Sequence, residues 1–166
     1  MKTINKFLQE ADNIQIYCDM DSVLCDWDAQ FKLYAKMSAD EYTKKYNEGA
    51  MWKLITNIGV KFWADMPWME DGKQLWTYIK PYKPIILSKP ARMRSCIIGK
   101  RMWIERELGR DIPYILERDK SKYSEKGSLL IDDMRENIYP WNKQGGMGIL
   151  HKSANETIAK LKNRIK

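Results

Sequence analysis

A short apolar segment that runs directly into acidic residues is the feature that most constrains the fold. Ile14-Gln-Ile-Tyr-Cys18 is apolar and β-prone, and Asp19-Met-Asp21 follows it without a break. A run of this length and composition is typical of a buried strand. The sequence therefore predicts a buried strand that delivers two carboxylates at the point where it ends.

Further short apolar segments alternate with helical patterns along the rest of the chain. We predict strands over residues 84–88, 112–116, 128–132 and 147–150, and a basic helix over 92–108 that ends at Gly109. Capping boxes that begin at Ser38 and Ser153 open two other helices. Strands that alternate with helices predict an α/β fold with a parallel sheet covered by helices on both faces.

The length and the distribution of tryptophan predict how the domain is organised. A chain of 166 residues fits one domain with room for a small insertion. The stretch 27–80 is helical in pattern and rich in tryptophan, and it falls between the first two predicted strands. We therefore expect an α/β core formed by residues 1–26 and 81–166, with a small helical subdomain formed by residues 27–80.

Composition and charge restrict the cellular setting and the class of partner. Cys18, Cys25 and Cys96 show no CxxC spacing, which favours reduced thiols in a cytosolic protein. Residues 1–13 contain no long apolar stretch, so we expect no signal peptide and a cytoplasmic location. No apolar run approaches the roughly 20 residues of a membrane span. The formal charge of +7 favours anionic partners.

Three of the predicted strands end in polar or acidic residues, namely Asp19, Ser88 and Asp132. Ligands bind beyond the carboxyl ends of parallel strands, so these residues define a candidate site, although each alone could be a turn residue. Two carboxylates two positions apart in extended backbone point the same way and repel each other. A hard cation such as Mg²⁺ would relieve this repulsion, and Asp132-Asp133 offers more acids.

Basic and imidazole side chains near these acids have several alternative interpretations. Lys120, Lys122 and Lys126 all precede the strand that ends at Asp132, so each is a candidate for neutralising the acids. Lys100 and Arg101 follow Ser88 on a predicted helix, where a solvated face is the favoured interpretation over phosphate binding. For His151, we favour a surface role or a role in the helical insertion over catalysis.

The order of these motifs resembles that of phosphatases of the haloacid dehalogenase (HAD) superfamily. Asp19-Met-Asp-Ser-Val-Leu24 is similar to their first motif, DxDx(V/T)L, and Ser88 is similar to the second, a hydroxyl after a strand. The third motif is a lysine, and Leu129-Leu-Ile-Asp-Asp133 is similar to the fourth. The resemblance implies a HAD-like Rossmannoid core with a small helical cap inserted after the first strand.

Within that superfamily, the chain most resembles the 5'(3')-deoxyribonucleotidase group and its phage and bacterial relatives. DMDSVLCDW, the segment from Phe62 to Trp68 and the run from Glu117 to Lys120 carry this resemblance. Ser22 stands where glycine is usual, and Lys89 stands where a second hydroxyl is common. Two residues are inserted before the final acids, so counting back from Asp132 selects Lys122 as the third-motif lysine, whereas the local run selects Lys120. We prefer Lys122.

The resemblance implies a role for each matched residue. Asp19 would attack phosphorus to form an aspartyl-phosphate, and Asp21 would act as the general acid and base. Mg²⁺ would be held by Asp19, the backbone carbonyl of Asp21 and Asp132. The remaining implied roles are orientation of the metal's waters by Asp133, phosphate binding by Ser88 and the lysine, and substrate contact by Trp27 and Trp63.

The sequence therefore predicts a magnesium-dependent phosphomonoesterase that acts on a small phosphomonoester, with a nucleoside monophosphate as the favoured substrate. One alternative is a phosphatase that acts on nucleic-acid ends or on another small phosphomonoester. Another is a non-catalytic nucleic-acid-binding protein, although stable nucleic-acid binding is not what we expect. The sequence predicts no membrane association and is compatible with a homodimer.

Overall fold

Five parallel strands form the centre of the molecule. The structure, a computed structural model, describes residues 14–165, so the expectation of no signal peptide concerns a segment outside the described residues. The strands form one sheet in the order β3-β2-β1-β4-β5. Their bounds are β1 Gln15–Cys18, β2 Ile85–Ser88, β3 Tyr114–Leu116, β4 Ser128–Asp132 and β5 Met147–Leu150.

The strand order places the change of direction of the chain beside β1. The chain runs outward from β1 through β2 to β3 and then crosses to β4 on the other side of β1. In register, Tyr17 lies opposite Ile85 of β2 and opposite Leu130 of β4. Such a switch point opens a crevice at the carboxyl ends of the strands, which is where ligands bind in open α/β sheets. The predicted α/β fold with a parallel sheet is confirmed.

Five α-helices lie between β1 and β2, and three lie in the rest of the described chain. The first group is α1 Trp27–Ala35, α2 Ala39–Tyr46, α3 Glu48–Ile58, α4 Val60–Ala64 and α5 Gly72–Ile79, followed by a 3₁₀ turn at Lys80–Tyr82. The second group is α6 Arg94–Glu107, α7 Arg135–Lys143 and α8 Ala154–Lys162. The division into a core and a cap at residues 26/27 and 80/81 stays a prediction.

A close contact between α4 and α6 joins the inserted helices to the helix that follows β2. Gly99 of α6 makes this contact possible, because an added Cβ would lie 2.5 Å from Trp63 Cβ and 2.7 Å from the Val60 carbonyl oxygen. Tight backbone approach of this kind is a common reason for glycine inside a helix. As a consequence, Trp63 and the neighbouring Lys100 are held on adjoining helices.

The sheet is buried on both faces, as expected of a parallel sheet covered by helices. All five residues of β4 are buried, and Ile16, Cys18, Ile86 and Ile131 are fully inaccessible. All three cysteines are buried free thiols. None of the helices within residues 14–165 has the length and apolar character that crossing a bilayer requires.

Candidate active site

Asp19 lies where β1 ends and is almost fully buried, with 6% of its surface exposed. Its backbone N–H donates to the Ile131 carbonyl at 2.9 Å, which extends the pairing of β1 with β4. Carboxylate oxygen Oδ1 accepts from the Met20 N–H at 2.8 Å and lies 2.9 Å from Lys120 Nζ. The Asp19 carboxylate is therefore held in place by a backbone N–H, by the pairing of its strand with β4 and by the ammonium of Lys120.

Asp132 ends the neighbouring strand β4 and is fully buried. Its Oδ1 accepts from the Met134 N–H and from Asn137 Nδ2, both at 2.9 Å, and its Oδ2 accepts from Lys120 Nζ at 2.5 Å. Asn137, on the first turns of α7, was missed by the sequence analysis. The only sequence signal for it was its position a few residues beyond the paired acids.

Asp19, Asp132 and Asp133 form a cluster of three acids. One carboxylate oxygen from each lies within 4.8 Å of the others. Burial, together with the charges of Asp19 and Asp132, raises the pKa of Asp133 to about 7. Burial and the charge of Asp19 also raise the pKa of Asp132, against the opposing effects of Lys120 and Asn137.

The chemistry of this cluster fits a hard divalent cation. Buried carboxylates that repel one another need a counter-charge, and oxygen ligands are those that Mg²⁺ prefers. Asp133 reaches the cluster directly, whereas the sequence analysis gave it only an indirect role. The carboxylate of Asp21 is directed elsewhere, which leaves its backbone carbonyl as the predicted contribution to metal binding.

Lys120 is the lysine that the structure brings to these acids. It is 2% exposed and bridges Asp19 and Asp132, whose charges raise the pKa of Lys120 although burial opposes the charged form. The side chain of Lys122 is 58% exposed and pairs with Glu117 at 3.1 Å. The preference for Lys122 therefore selects a surface residue, although both lysines belong to one 3₁₀ turn at Lys120–Tyr123.

Lys100 is buried, so the expectation of a solvated face is wrong for this residue. Its Nζ donates to Asp21 Oδ2 at 2.5 Å and to Ser88 Oγ at 2.8 Å. Burial disfavours the ammonium form, but the charges of Asp21 and Asp19 outweigh burial and raise the pKa of Lys100. Helical spacing could have found it, since Lys100 falls on the buried face with Cys96, Gly99, Trp103 and Ile104.

A cavity of about 640 Å³ adjoins Asp21. We call it the tryptophan cavity because Trp27, Trp52 and Trp63 line it. Trp27 stacks on Phe31 with ring centroids 5.5 Å apart. Trp63 is 2% exposed, and its indole N–H has no hydrogen-bond partner among the described residues. The two tryptophans predicted to contact substrate therefore line one cavity that reaches Asp21.

His151 is 6% exposed, so the expectation of a surface position or a position in the helical insertion is wrong. Its ring Nδ1 lies 2.8 Å from Thr157 Oγ1, and burial lowers the pKa of the imidazole. Its backbone N–H donates to the Asp132 carbonyl oxygen at 2.8 Å. His151 thus joins β5 to α8 and supports the end of β4 through its backbone.

Several solved structures share this fold. A hydrolase from Streptococcus pneumoniae TIGR4 aligns with a TM-score of 0.59 at 12% identity, over 91% of this chain and 99% of that chain. L-2-haloacid dehalogenase from Xanthobacter autotrophicus aligns with a TM-score of 0.53 at 10% identity, over 90% and 82%. A HAD family hydrolase from Deinococcus radiodurans R1, solved with bound phosphate and sodium, aligns with a TM-score of 0.52 at 10% identity, over 93% and 97%.

The chain therefore has the fold of HAD-superfamily hydrolases, as the motif order predicts. At this level of identity the likeness establishes the fold alone, and dehalogenases share it with other hydrolases. Neither the scan against protein-family models nor the search of curated proteins finds a match. The reaction has to be argued from the side chains at the carboxyl edge of the sheet.

Proposed function

We propose that the protein is a magnesium-dependent phosphomonoesterase that acts through an aspartyl-phosphate on Asp19. The observation that carries the proposal is the position of the Asp19 carboxylate, which contacts the buried ammonium of Lys120 and clusters with the acids Asp132 and Asp133. Catalysis of phosphoryl transfer is mostly positioning and charge neutralisation. A buried, fixed carboxylate beside a cation and a candidate metal site meets both needs.

In the first step, an Asp19 oxygen attacks phosphorus, and the bond from phosphorus to the leaving oxygen breaks. Asp21, two residues on, gives a proton to that oxygen and later takes one from the water that hydrolyses the aspartyl-phosphate. Lys100 Nζ donates to Asp21 Oδ2 at 2.5 Å and so fixes the position of this carboxylate.

Ser88 is prepared to donate a hydrogen bond to the phosphate. A lysine ammonium can only donate, so Ser88 Oγ accepts from Lys100 and directs its own hydrogen elsewhere. A phosphoryl oxygen placed between Ser88 and Asp19 would receive that hydrogen. Lys100 would contribute charge to the same oxygen, and Lys120 would balance the charge of Asp19.

The metal would be held by Asp19, Asp132 and the Asp21 carbonyl, with Asp133 either as a ligand or bonded to metal-bound water. Bound Mg²⁺ would neutralise charge on the phosphoryl oxygens. The three clustered carboxylates support this part of the proposal, because burial and mutual repulsion raise the pKa of Asp133. The solved structure from Deinococcus radiodurans R1 contains phosphate and sodium.

A nucleoside monophosphate is the substrate that the tryptophan cavity supports best. The cavity adjoins Asp21 and offers indole surfaces on which a base can stack, at about 1–3 kcal/mol per stack. The motif resemblance to the 5'(3')-deoxyribonucleotidase group also favours a nucleoside monophosphate.

The cytoplasmic location and a homodimer stay predictions.

Hydrolysis of a panel of nucleoside monophosphates, measured with and without Mg²⁺, tests the proposal. We expect phosphate release that needs Mg²⁺ and is abolished in Asp19→Asn. Asp111→Asn is a matched control, because Asp111 is exposed and comes before β3. It therefore lies at the amino ends of the strands, whereas Asp19 lies at their carboxyl ends. Salt-sensitive binding to DNA without hydrolysis of any ester would contradict the proposal and favour the non-catalytic alternative.

A further inference from the structure

The tryptophan cavity has a cationic side as well as an aromatic one. Lys89 and Arg92, from the loop after β2, and Arg118, from the loop after β3, all line it and are all exposed. Arg118 Nη1 donates to the Pro90 carbonyl oxygen at 3.3 Å, which joins the two loops. We call Lys89, Arg92 and Arg118 the cationic wall.

No side chain of the cationic wall forms an ion pair within residues 14–165. The two carboxylates that line the same cavity have other partners, since Asp21 pairs with Lys100 and Glu48 Oε1 accepts from Trp52 Nε1 at 3.1 Å. A desolvated ligand in the cavity would therefore face positive charge that the protein does not neutralise.

The acids next to Arg118 in sequence are also engaged elsewhere. Glu117 pairs with Lys122 at 3.1 Å and accepts from the backbone N–H groups of Arg118 and Asp119 at 2.7 and 3.1 Å. Asp119 accepts from the Ser121 hydroxyl at 2.6 Å. The guanidinium of Arg118 is left with a backbone carbonyl as its partner, so it remains available to an anion.

The phosphate that is hydrolysed has other donors, although Lys89 of the cationic wall also lines the pocket that contains Asp19. Ser88, Lys100 and Lys120 already surround its position at the edge of the sheet. The cationic wall and Asp21 line the same cavity, which would hold the leaving group. A neutral nucleoside in that place would offer the wall no negative charge.

We infer that the leaving portion of the substrate carries a second phosphate group, and that the cationic wall binds it. This inference rests on the proposed function and specifies its substrate class. A nucleoside 3',5'-bisphosphate and a 5'-phosphorylated dinucleotide share this chemistry, because each carries a second phosphate beyond the sugar. Hydrolysis removes the phosphate beside Asp19, and the second phosphate stays on the product.

Steady-state kinetics of the full chain with Mg²⁺ test the inference. We would compare a deoxyribonucleoside 5'-monophosphate, its 3',5'-bisphosphate and a 5'-phosphorylated dinucleotide with the same first base. We expect kcat/KM for the bisphosphate to exceed that for the monophosphate by about tenfold at low salt, and the ratio to fall as salt screens the charges. Equal values for all three compounds would overturn the inference.

Two arginine variants distinguish a specific effect of the cationic wall from an effect of the protein's overall positive charge. In Arg118→Gln, the kcat/KM for the bisphosphate divided by that for the monophosphate should fall to between about one and about three. Loss of a single arginine–phosphate contact would produce a decrease of this size. Arg94→Gln makes the same change at an exposed residue on the first turn of α6 that does not line the cavity, and it should leave the ratio unchanged. An unaltered ratio in Arg118→Gln would overturn the inference.

The dinucleotide and a binding measurement distinguish the remaining outcomes. A dinucleotide that matches or exceeds the bisphosphate supports the inference and identifies nucleic-acid ends as the source of the second phosphate. Calorimetry with the Asp19→Asn variant compares binding of bisphosphate and monophosphate without turnover. Tighter bisphosphate binding that Arg118→Gln removes supports the inference even if no ester is hydrolysed, in which case only the proposed function fails. Equal affinity of Asp19→Asn for the bisphosphate and the monophosphate overturns the inference.

Discussion

Lys100 and Asp21 form an ion pair in which the lysine is fully buried and the carboxylate is 29% exposed. The lysine lies on α6 and the acid lies just beyond β1, so the pair joins two parts of the chain that are 79 residues apart. The same ammonium reaches Ser88. One buried cation therefore links the proposed acid and base with the proposed phosphate-binding hydroxyl.

Replacing Lys100 should impair catalysis more than substrate binding. Lys100→Met removes a donor from both Asp21 and Ser88, and we expect kcat to fall by about 10²–10³, as for loss of one anion-stabilising donor. Lys100→Arg keeps the charge and should restore part of kcat. Steady-state kinetics on a nucleoside monophosphate measure both. A variant that changes KM alone would show that Lys100 has no part in the chemical step.

Lys120 and Lys122 provide a matched pair, because both are lysines of the same 3₁₀ turn. Lys120→Met leaves the buried carboxylates of Asp19 and Asp132 without their shared counter-ion. We expect a loss of about 3–5 kcal/mol in the free energy of unfolding of the metal-free protein, together with a large loss of activity. Lys122→Met removes an exposed pair with Glu117 and should change the free energy of unfolding very little. Urea unfolding measures both variants, and similar losses in the two would contradict the assignment.

The stability of the metal-free protein should depend on pH through Asp133. Its pKa is about 7 in the folded protein, against an ordinary value of 3.8, so the folded state holds more protons than the unfolded state between these values. The free energy of unfolding should therefore fall as pH rises from about 4 to 7.

Urea unfolding with a chelator at pH 5 and pH 7.5 measures this dependence. Asp133→Asn should flatten it, and added Mg²⁺ should stabilise the wild type most at the higher pH, where the acids are ionised. A pH dependence that is the same in Asp133→Asn as in the wild type would contradict the assignment of this effect to Asp133.

Ser22 has a φ of 60°, which places a non-glycine residue in the left-handed region directly after Asp21. Its backbone N–H donates to the Cys25 carbonyl oxygen at 2.8 Å, so the turn fixes this conformation. Ser22→Gly should raise the free energy of unfolding by about 0.5–1 kcal/mol because glycine adopts this φ without a steric cost. Ser22→Ala loses the hydroxyl but keeps the Cβ and should not stabilise. Thermal unfolding of the wild type, Ser22→Gly and Ser22→Ala measures these differences. Stabilisation by Ser22→Ala would show that the left-handed φ of Ser22 is not the cause.

The sequence predicted the sheet well because each strand is a continuous apolar run that ends in a turn or a polar residue. The same pattern located Asp19, Ser88 and Asp132, since the carboxyl ends of parallel strands meet at one edge. Bounds differ by one or two residues, as for α6, which begins at Arg94 and not at residue 92.

The lysines were harder to predict because their roles depend on tertiary contacts. Lys100 lies on the buried face of a helix that is otherwise basic, and general charge patterning favoured a solvated interpretation. Lys120 and Lys122 lie in the same 3₁₀ turn, and only the contacts of Lys120 with Asp19 and Asp132 distinguish the two lysines. The direct approach of Asp133 to the other acids depends on the path of the chain between β4 and α7, which composition and spacing do not determine.

Asp19 should carry a phosphoryl group during turnover, as the proposed function requires. The direct measurement is an acid quench of the full chain during steady-state hydrolysis of a nucleoside monophosphate with Mg²⁺, followed by peptide mass spectrometry. We expect the added mass of one phosphoryl group on the peptide that contains Asp19, and none in Asp19→Asn or without Mg²⁺. Rapid turnover with no phosphorylated peptide under trapping conditions, or a phosphoryl group on a different residue, would contradict the account.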